Sequence, residues 1–233
     1  MSRNKIIPAF DVQTRSDLDN LIFELKGEAT IVKIGMELYY TYGNEILHRL
    51  KNEGFKIFLD LKMHDIPSTV HNAAKTLAKN GVDILNVHAA GGVEMMKAAL
   101  EGFQTENDKG ILIGVTQLTS TSTEIMNNEL LIPGSINDIV LKYAELTKKA
   151  GLHGIVCSAH EVKTVKENLG AGFKCITPGI RPKGVDKNDQ KRVMTPAEAI
   201  SIGSDYLVIG RAITKAPSPK EAFKNILKEI ENE

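Results

Sequence analysis

The sequence predicts an α/β protein of the (β/α)8 TIM-barrel class: a parallel eight-stranded barrel with its helices outside. Three observations carry that expectation. Short β-branched runs alternate with longer amphipathic stretches from one end of the chain to the other. Eight of these runs are nearly continuous in hydrophobicity, as strands are when helices cover a parallel sheet. The chain has 233 residues, which fits one such barrel and buries a full core without a disulfide or metal staple.

Taken in order, the strands are expected at 5–11, 30–35, 56–60, 83–88, 111–116, 154–157, 173–177 and 206–209. Between them, apolar residues recur at three- and four-residue spacing, as in Leu18, Leu21, Ile22 and Leu25. The pieces 73–79, 95–100, 139–149 and 222–230 read the same way. Glycine closes helices at Asn80-Gly81 and Ala150-Gly151, and Pro196 and Pro219 stand where a first helical turn begins. The alternative is an open doubly wound sheet. Against a nicotinamide-binding version of it, the chain after the first strand reads Phe10-Asp11-Val12-Gln13, with no Gly-rich fingerprint. No linker or composition shift divides residues 1–233, which read as a single domain. One long irregular polar stretch, 181–192, lies between strand seven and helix seven.

Composition narrows the function. Lys plus Arg and Asp plus Glu both number 29, so the net charge is zero and no overall field holds a polyanion. Nucleic acid is therefore not an expected partner; a small molecule or a protein is. Cys157 and Cys175 sit in apolar runs and read as buried strand thiols. The first residues lack the apolar length and small-residue cleavage site of a signal peptide, and no apolar run reaches membrane-spanning length. The expected location is the cytoplasm.

In a barrel, chemistry gathers at the C-terminal ends of the strands. There the sequence offers Asp11 on strand one, Lys33 on strand two, and Asp60, Lys62 and Asp65 at the end of strand three. Asp60 and Lys62 are two apart and share a face while the chain stays extended. A structural ion-pair network is the bland alternative, but converging charges with little solvent more often mark a working site. A lysine between two carboxylates keeps its proton, which suits it to donate a proton and not to form an imine.

Strands seven and eight run into Thr177-Pro178-Gly179-Ile180-Arg181 and Val208-Ile209-Gly210-Arg211. Loops at those two places often hold phosphate: glycine lets backbone N–H groups approach, and arginine adds a fork. Gln190 would reach the same anion if the polar stretch folds over as a lid. His88 faces the same rim and His64 sits in the reactive segment, while His71, His153 and His160 read as surface or junction residues. Met95 and Met96 fit a helix core. No zinc spacing and no Gly-x-x-x-x-Gly-Lys-Ser/Thr loop is present.

The segment from Phe58 to Val70, with Asp60, Lys62, His64, Asp65, Pro67 and Thr69, resembles the signature of the orotidine 5′-phosphate decarboxylase family. The resemblance extends over Asp11, Val32–Glu37, Asn86–Gly92, Val115–Ser120, Thr177–Arg181, Asn188-Asp189-Gln190 and Gly210-Arg211. It implies decarboxylation of orotidine 5′-monophosphate to UMP and CO2 in pyrimidine synthesis, without a metal or organic cofactor. Lys62 would protonate C6, flanked by Asp60 and Asp65. Lys33 would complete the charge network and, with Asp11, contact the ribose. Thr119 would meet the pyrimidine, and Arg181, Gln190, Gly210 and Arg211 the phosphate. Asp65, Ile66 and Thr69 would also bind substrate, Asp65 and Thr69 doing so in the partner subunit's site, so a homodimer is implied.

Two rivals remain at this level. A sugar-phosphate decarboxylase similar to 3-keto-L-gulonate 6-phosphate decarboxylase would need Mg2+ held in part by an acidic residue on strand two, where Lys33 stands. A non-catalytic phosphate-metabolite-binding barrel would have no need of the Asp60, Lys62 and Asp65 set.

Overall fold

The computed structural model describes residues 2–182 and 194–232. Eight parallel strands form one sheet in the order β1-β8-β7-β6-β5-β4-β3-β2. They are β1 (Ile6–Pro8), β2 (Ile31–Gly35), β3 (Lys56–Met63), β4 (Ile84–His88), β5 (Ile111–Val115), β6 (Gly154–Val156), β7 (Lys174–Thr177) and β8 (Tyr206–Ile209). A parallel bridge between Ala9 and Lys33 joins the two ends of the sheet, where the Phe10 N–H donates to the Lys33 carbonyl at 3.0 Å. That seam makes the sheet a barrel, the class the sequence predicts.

The helices are α1 (Arg15–Leu25), α2 (Met36–Tyr42), α3 (Asn44–Asn52), α4 (Pro67–Lys79), α5 (Gly92–Gln104) and α6 (Thr123–Asn128). They continue with α7 (Ile136–Lys149), α8 (Ala159–Leu169), α9 (Pro196–Ser201), α10 (Arg211–Thr214) and α11 (Pro219–Glu231). Local signals set their ends. Thr14, Ser135 and Ser218 accept the N–H of Asp17, Asp138 and Glu221, three residues on, which satisfies a donor that the first turn leaves unpaired. Thr195 and Glu198 make a reciprocal capping box around Pro196. Gly81 and Gly151 lie at φ +87°, in the left-handed region that glycine enters freely. Among the described residues no helix is long and apolar enough to cross a membrane.

The core has two layers. Ile7, Ala9, Ile31, Phe58, Ile84, Ile113, Ile176 and Val208 fill the inside of the barrel. The outer strand faces pack on helix stripes such as Leu18, Leu21, Ile22 and Leu25 of α1 and Val70, Ala74, Leu77 and Ala78 of α4. Cys157 and Cys175 are buried and unbridged, as their apolar setting predicts. The hydrogen bond with Cys175, followed by burial, pushes the Cys157 thiol well up, which keeps it neutral.

Two strand ends differ from expectation by three residues, and the other bounds agree to within one. β1 stops at Pro8 instead of reaching Asp11, because the Asp11 N–H turns back to the Ala9 carbonyl (2.9 Å). β3 runs past Asp60 to Met63, but not as an extended strand. Its register against β4 shifts between Leu59 and Met63, and Lys62 sits at φ +53°.

Candidate active site

A cavity of about 490 Å3 opens at the C-terminal rim of the barrel, within the size range of small-molecule sites. Its floor is apolar, formed by Ala9, Phe58, Val115, Val156 and Val208. Asp11, Lys33, Asp60 and Lys62 line one side; Pro178, Gly179, Arg181, Gly210 and Arg211 line the other. Thr119 stands on the rim between them, with Gln117, Leu118 and Ser120.

Alternating charges hold the first side together. The Lys33 ammonium lies 3.1 Å from Asp11 and 3.4 Å from Asp60, and Lys62 lies 2.8 Å from the other Asp60 oxygen. Burial by itself would raise the Asp60 carboxyl. The charges of Lys33 and Lys62, with hydrogen bonds from Lys62 and Asn86, outweigh it and hold Asp60 below the usual carboxylate range. A side chain at Gly35 would come within 3.2 Å of both Lys33 Nζ and the Asp11 carboxylate, so the bare glycine leaves that pair room.

Asp60 and Lys62 do meet, but not by sharing a face of an extended strand. The left-handed turn at Lys62, costing about 1–3 kcal/mol for a non-glycine residue, brings its side chain round to Asp60. Asn86 on β4 accepts the Lys62 N–H at 2.8 Å and donates to Asp60 at 2.7 Å. Sequence reasoning gave Asn86 no separate role. The signal was there: an amide in the apolar strand ILNVH, at a position facing the barrel interior, must find polar partners inside.

At the opposite side, Gly179 adopts φ +78°, so the turn after β7 depends on glycine. Arg181 is buried, donates to the Ile180 carbonyl, and has an Nε with no partner among the described residues. Burial, then the nearby Arg211 charge, pull its guanidinium below the ordinary arginine value. Two cations this close, one with an unused buried donor, suit an anion between them.

The chain matches the family model described as orotidine 5'-phosphate decarboxylase / HUMPS family over residues 4–226. The chain belongs to this family. An orotidine 5'-phosphate decarboxylase of Lactococcus lactis subsp. cremoris is 49% identical over 98% of this chain and 99% of its own length. One of Streptococcus thermophilus is 52% identical, with 97% of each covered. The crystal structure of orotidine 5'-phosphate decarboxylase from Lactobacillus acidophilus superposes with a TM-score of 0.88 at 39% identity, covering 97% of this chain and 99% of that one.

Against the expected family site, the fold brings together Asp11, Lys33, Asp60, Lys62, Thr119, Arg181, Gly210 and Arg211. It does not bring in Asp65, Ile66 or Thr69. These belong to an exposed run, 64–69, outside the cavity, and the Asp65 carboxylate accepts only the adjacent Ile66 N–H (2.6 Å) among the described residues. Gln190 lies outside the described residues. His88 does not line the cavity. Its ring stands 5.8 Å from that of His64, and burial, then the His64 and Lys62 charges, lower it below the usual imidazole value. Thr214 and Lys215 line the cavity with Gly210 and Arg211, and sequence reasoning did not name them. Among the described residues no three His, Cys, Asp or Glu side chains gather into a metal-binding set.

Proposed function

We propose that this protein converts orotidine 5′-monophosphate to UMP and CO2 in pyrimidine synthesis, and that residues 1–233 act as one catalytic domain. One observation carries the reading: an ammonium, Lys62, fixed at 2.8 Å from a charged, largely buried Asp60, across a cavity from two guanidiniums. A nucleotide fits those two poles, its phosphate at Arg181, Gly210 and Arg211 and its base over the apolar floor near Thr119. Asp11 and Lys33 then face the ribose.

The chemistry follows from the charges. The C6–carboxylate bond of the substrate breaks, CO2 leaves, and the electron pair stays on C6. The Lys62 ammonium, already held in place by Asp60, stabilises that pair without reorganisation and then transfers its proton to C6. Neutral Lys62 regains a proton from solvent after UMP leaves. Lys33 keeps Asp60 ionised throughout and pairs with Asp11. Binding energy from the phosphate, remote from C6, helps to hold the substrate carboxylate in an anionic setting. No step calls for a metal, and Lys33 occupies the place where a Mg2+-dependent sugar-phosphate relative needs an acid.

Asp65, Ile66 and Thr69 are proposed to complete the site of a second subunit. The support is their placement: exposed, outside their own cavity, with Ile66 63% exposed beside an Asp65 that has no ion pair among the described residues. Burial of Ile66 against a partner would bring Asp65 with it. Gln190 is proposed as a further phosphate contact, and the cytoplasm as the location.

The test is the absorbance change of orotidine 5′-monophosphate with purified protein in EDTA, beside Lys62→Ala. The expected result is metal-independent turnover that falls by at least about 100-fold in the variant, the scale of a lost general acid. A wild type that leaves the substrate unchanged, or an undiminished variant, overturns the reading.

A further inference from the structure

Asn86 is an amide in the middle of an apolar strand, fully buried, between Leu85 and Val87. Its neighbour two residues back, Ile84, belongs to the cluster inside the barrel, so the alternation of the strand turns Asn86 to the same side. Both ends of the amide are used, and on different partners. Oδ1 accepts the Lys62 N–H at 2.8 Å; Nδ2 donates to Asp60 Oδ1 at 2.7 Å. That same Asp60 oxygen takes the Lys62 ammonium at 2.8 Å. The bonds close a ring: Lys62 backbone, Asn86 amide, Asp60 carboxylate, Lys62 side chain.

The ring forms where the sheet is irregular. β3 and β4 pair at Phe58 with Ile84 and at Leu59 with Leu85, and next at Met63 with Val87. Four residues of β3 thus advance against two of β4. The excess is taken up around Lys62, whose φ of +53° an extended strand would not adopt. The Asn86 side chain supplies the acceptor that the Lys62 N–H uses at this break. An amide does both jobs with one side chain, and does so without a charge that changes with pH. A carboxylate in its place would set negative charge against Asp60, and an aliphatic group would leave the Lys62 N–H and one bond to Asp60 unmade.

We propose that Asn86 is a positioning residue for the reaction inferred above. It locks the left-handed turn at Lys62 and the Asp60 carboxylate into one unit, which aims the Lys62 ammonium into the cavity. Asn86 lies beneath the pair and does not line the cavity, so it acts through Lys62 and not on the substrate. This inference rests on the proposed decarboxylation, and the closing experiment separates the two.

The experiment measures kcat and KM for orotidine 5′-monophosphate from pH 5 to 8, together with UMP affinity and the thermal midpoint. It compares wild type, Asn86→Leu and Asn86→Asp. A misplaced ammonium is expected to lower kcat of Asn86→Leu by about 100-fold while UMP affinity, set at the phosphate side, holds. In Asn86→Asp the introduced carboxyl takes the place of the amide against Asp60 and the Lys62 N–H; Lys33, paired with both Asp60 and Asp11, is next in that charge network, and His88 follows two residues on along β4 with the His64 ring 5.8 Å from its own. It donates to Asp60 only when protonated, so its kcat relative to wild type rises as pH falls. Asn86→Leu with wild-type kcat, a kcat loss matched by an equal loss of UMP affinity, or an Asn86→Asp profile parallel to wild type each overturns the proposal. Should Asn86→Leu fail to fold, the Asn86→Asp profile decides. An inactive wild type overturns the functional reading instead; an active wild type with an unaffected Asn86 variant overturns only the role of Asn86.

Discussion

A carboxylate largely out of water keeps its charge when cations and donors surround it, and Asp60 is such a group. Lys33, Lys62 and Asn86 all reach it. Its folded value lies below the ordinary carboxylate value, so the native state binds this proton more weakly than the unfolded chain does. The stability gained is fully present above the unfolded value of about 4 and is lost as pH falls through the lower folded value. Urea unfolding of wild type and Asp60→Asn at stepped pH from neutrality into that acid range measures it. Wild type is expected to lose more stability over the acid steps than Asp60→Asn; equal losses would show that the carboxylate carries no such linkage. Residue types and spacing announced this cluster in the sequence. The spacing alone gave the wrong geometry for it, because a two-residue step implies a shared strand face only where the backbone is extended.

Among the elements, β3 carries Asp60 and Lys62, and α4 is the helix that follows it in the chain. The exposed run at 64–69 includes the first turn of α4, and α4 packs closely on α5. The approach depends on Gly102 of α5, where an added Cβ would fall 2.1 Å from the His71 carbonyl oxygen on α4. Gly102→Ala gains about 1 kcal/mol of helix propensity, but an overpacked contact against backbone costs about 1–3 kcal/mol, so the net is destabilising. A drop of a few degrees in thermal midpoint is expected, at about 2–4 °C per kcal/mol for this size. A midpoint at or above wild type would mean that the two helices part without cost.

The opposite end of the barrel shows how strand starts are fixed. Asp83, before β4, accepts the Ile57 N–H at 2.8 Å and pairs with Lys51. Asp205, before β8, accepts the Cys175 N–H at 2.7 Å and pairs with Lys166. In both cases a carboxylate accepts the N–H of the second residue of the neighbouring strand, away from the site. Stability is thus secured at one rim while the other carries strain and converging charge.

For the whole molecule, the question is which cavity Asp65 serves. Among the described residues it does not line the cavity at the mouth of its own barrel. If two subunits share their sites, Lys62→Ala and Asp65→Ala each disable both sites of their own dimer. Mixing the two inactive variants through a dissociated state then regenerates one intact site per mixed dimer. Activity is expected to return to about a quarter of wild type, because half of a random mixture is mixed dimer with one working site of two. Absence of any return would place the action of Asp65 within its own chain.

The sequence by itself determined the class of fold, the strand order of the charged residues, and the residue types at both poles of the cavity. Hydrophobic period and glycine and proline placement are local properties, and they read directly. The family motif is equally local in Asp60, Lys62 and Asp65. Only the tertiary structure decided that Lys62 turns left-handed and that Asn86 ties it to Asp60, whereas the family resemblance had already implied a place for Asp65 outside its own cavity. The turn and the tie both depend on the register between neighbouring strands. Such relations come from packing between segments distant in the chain, and no local pattern of residues encodes them.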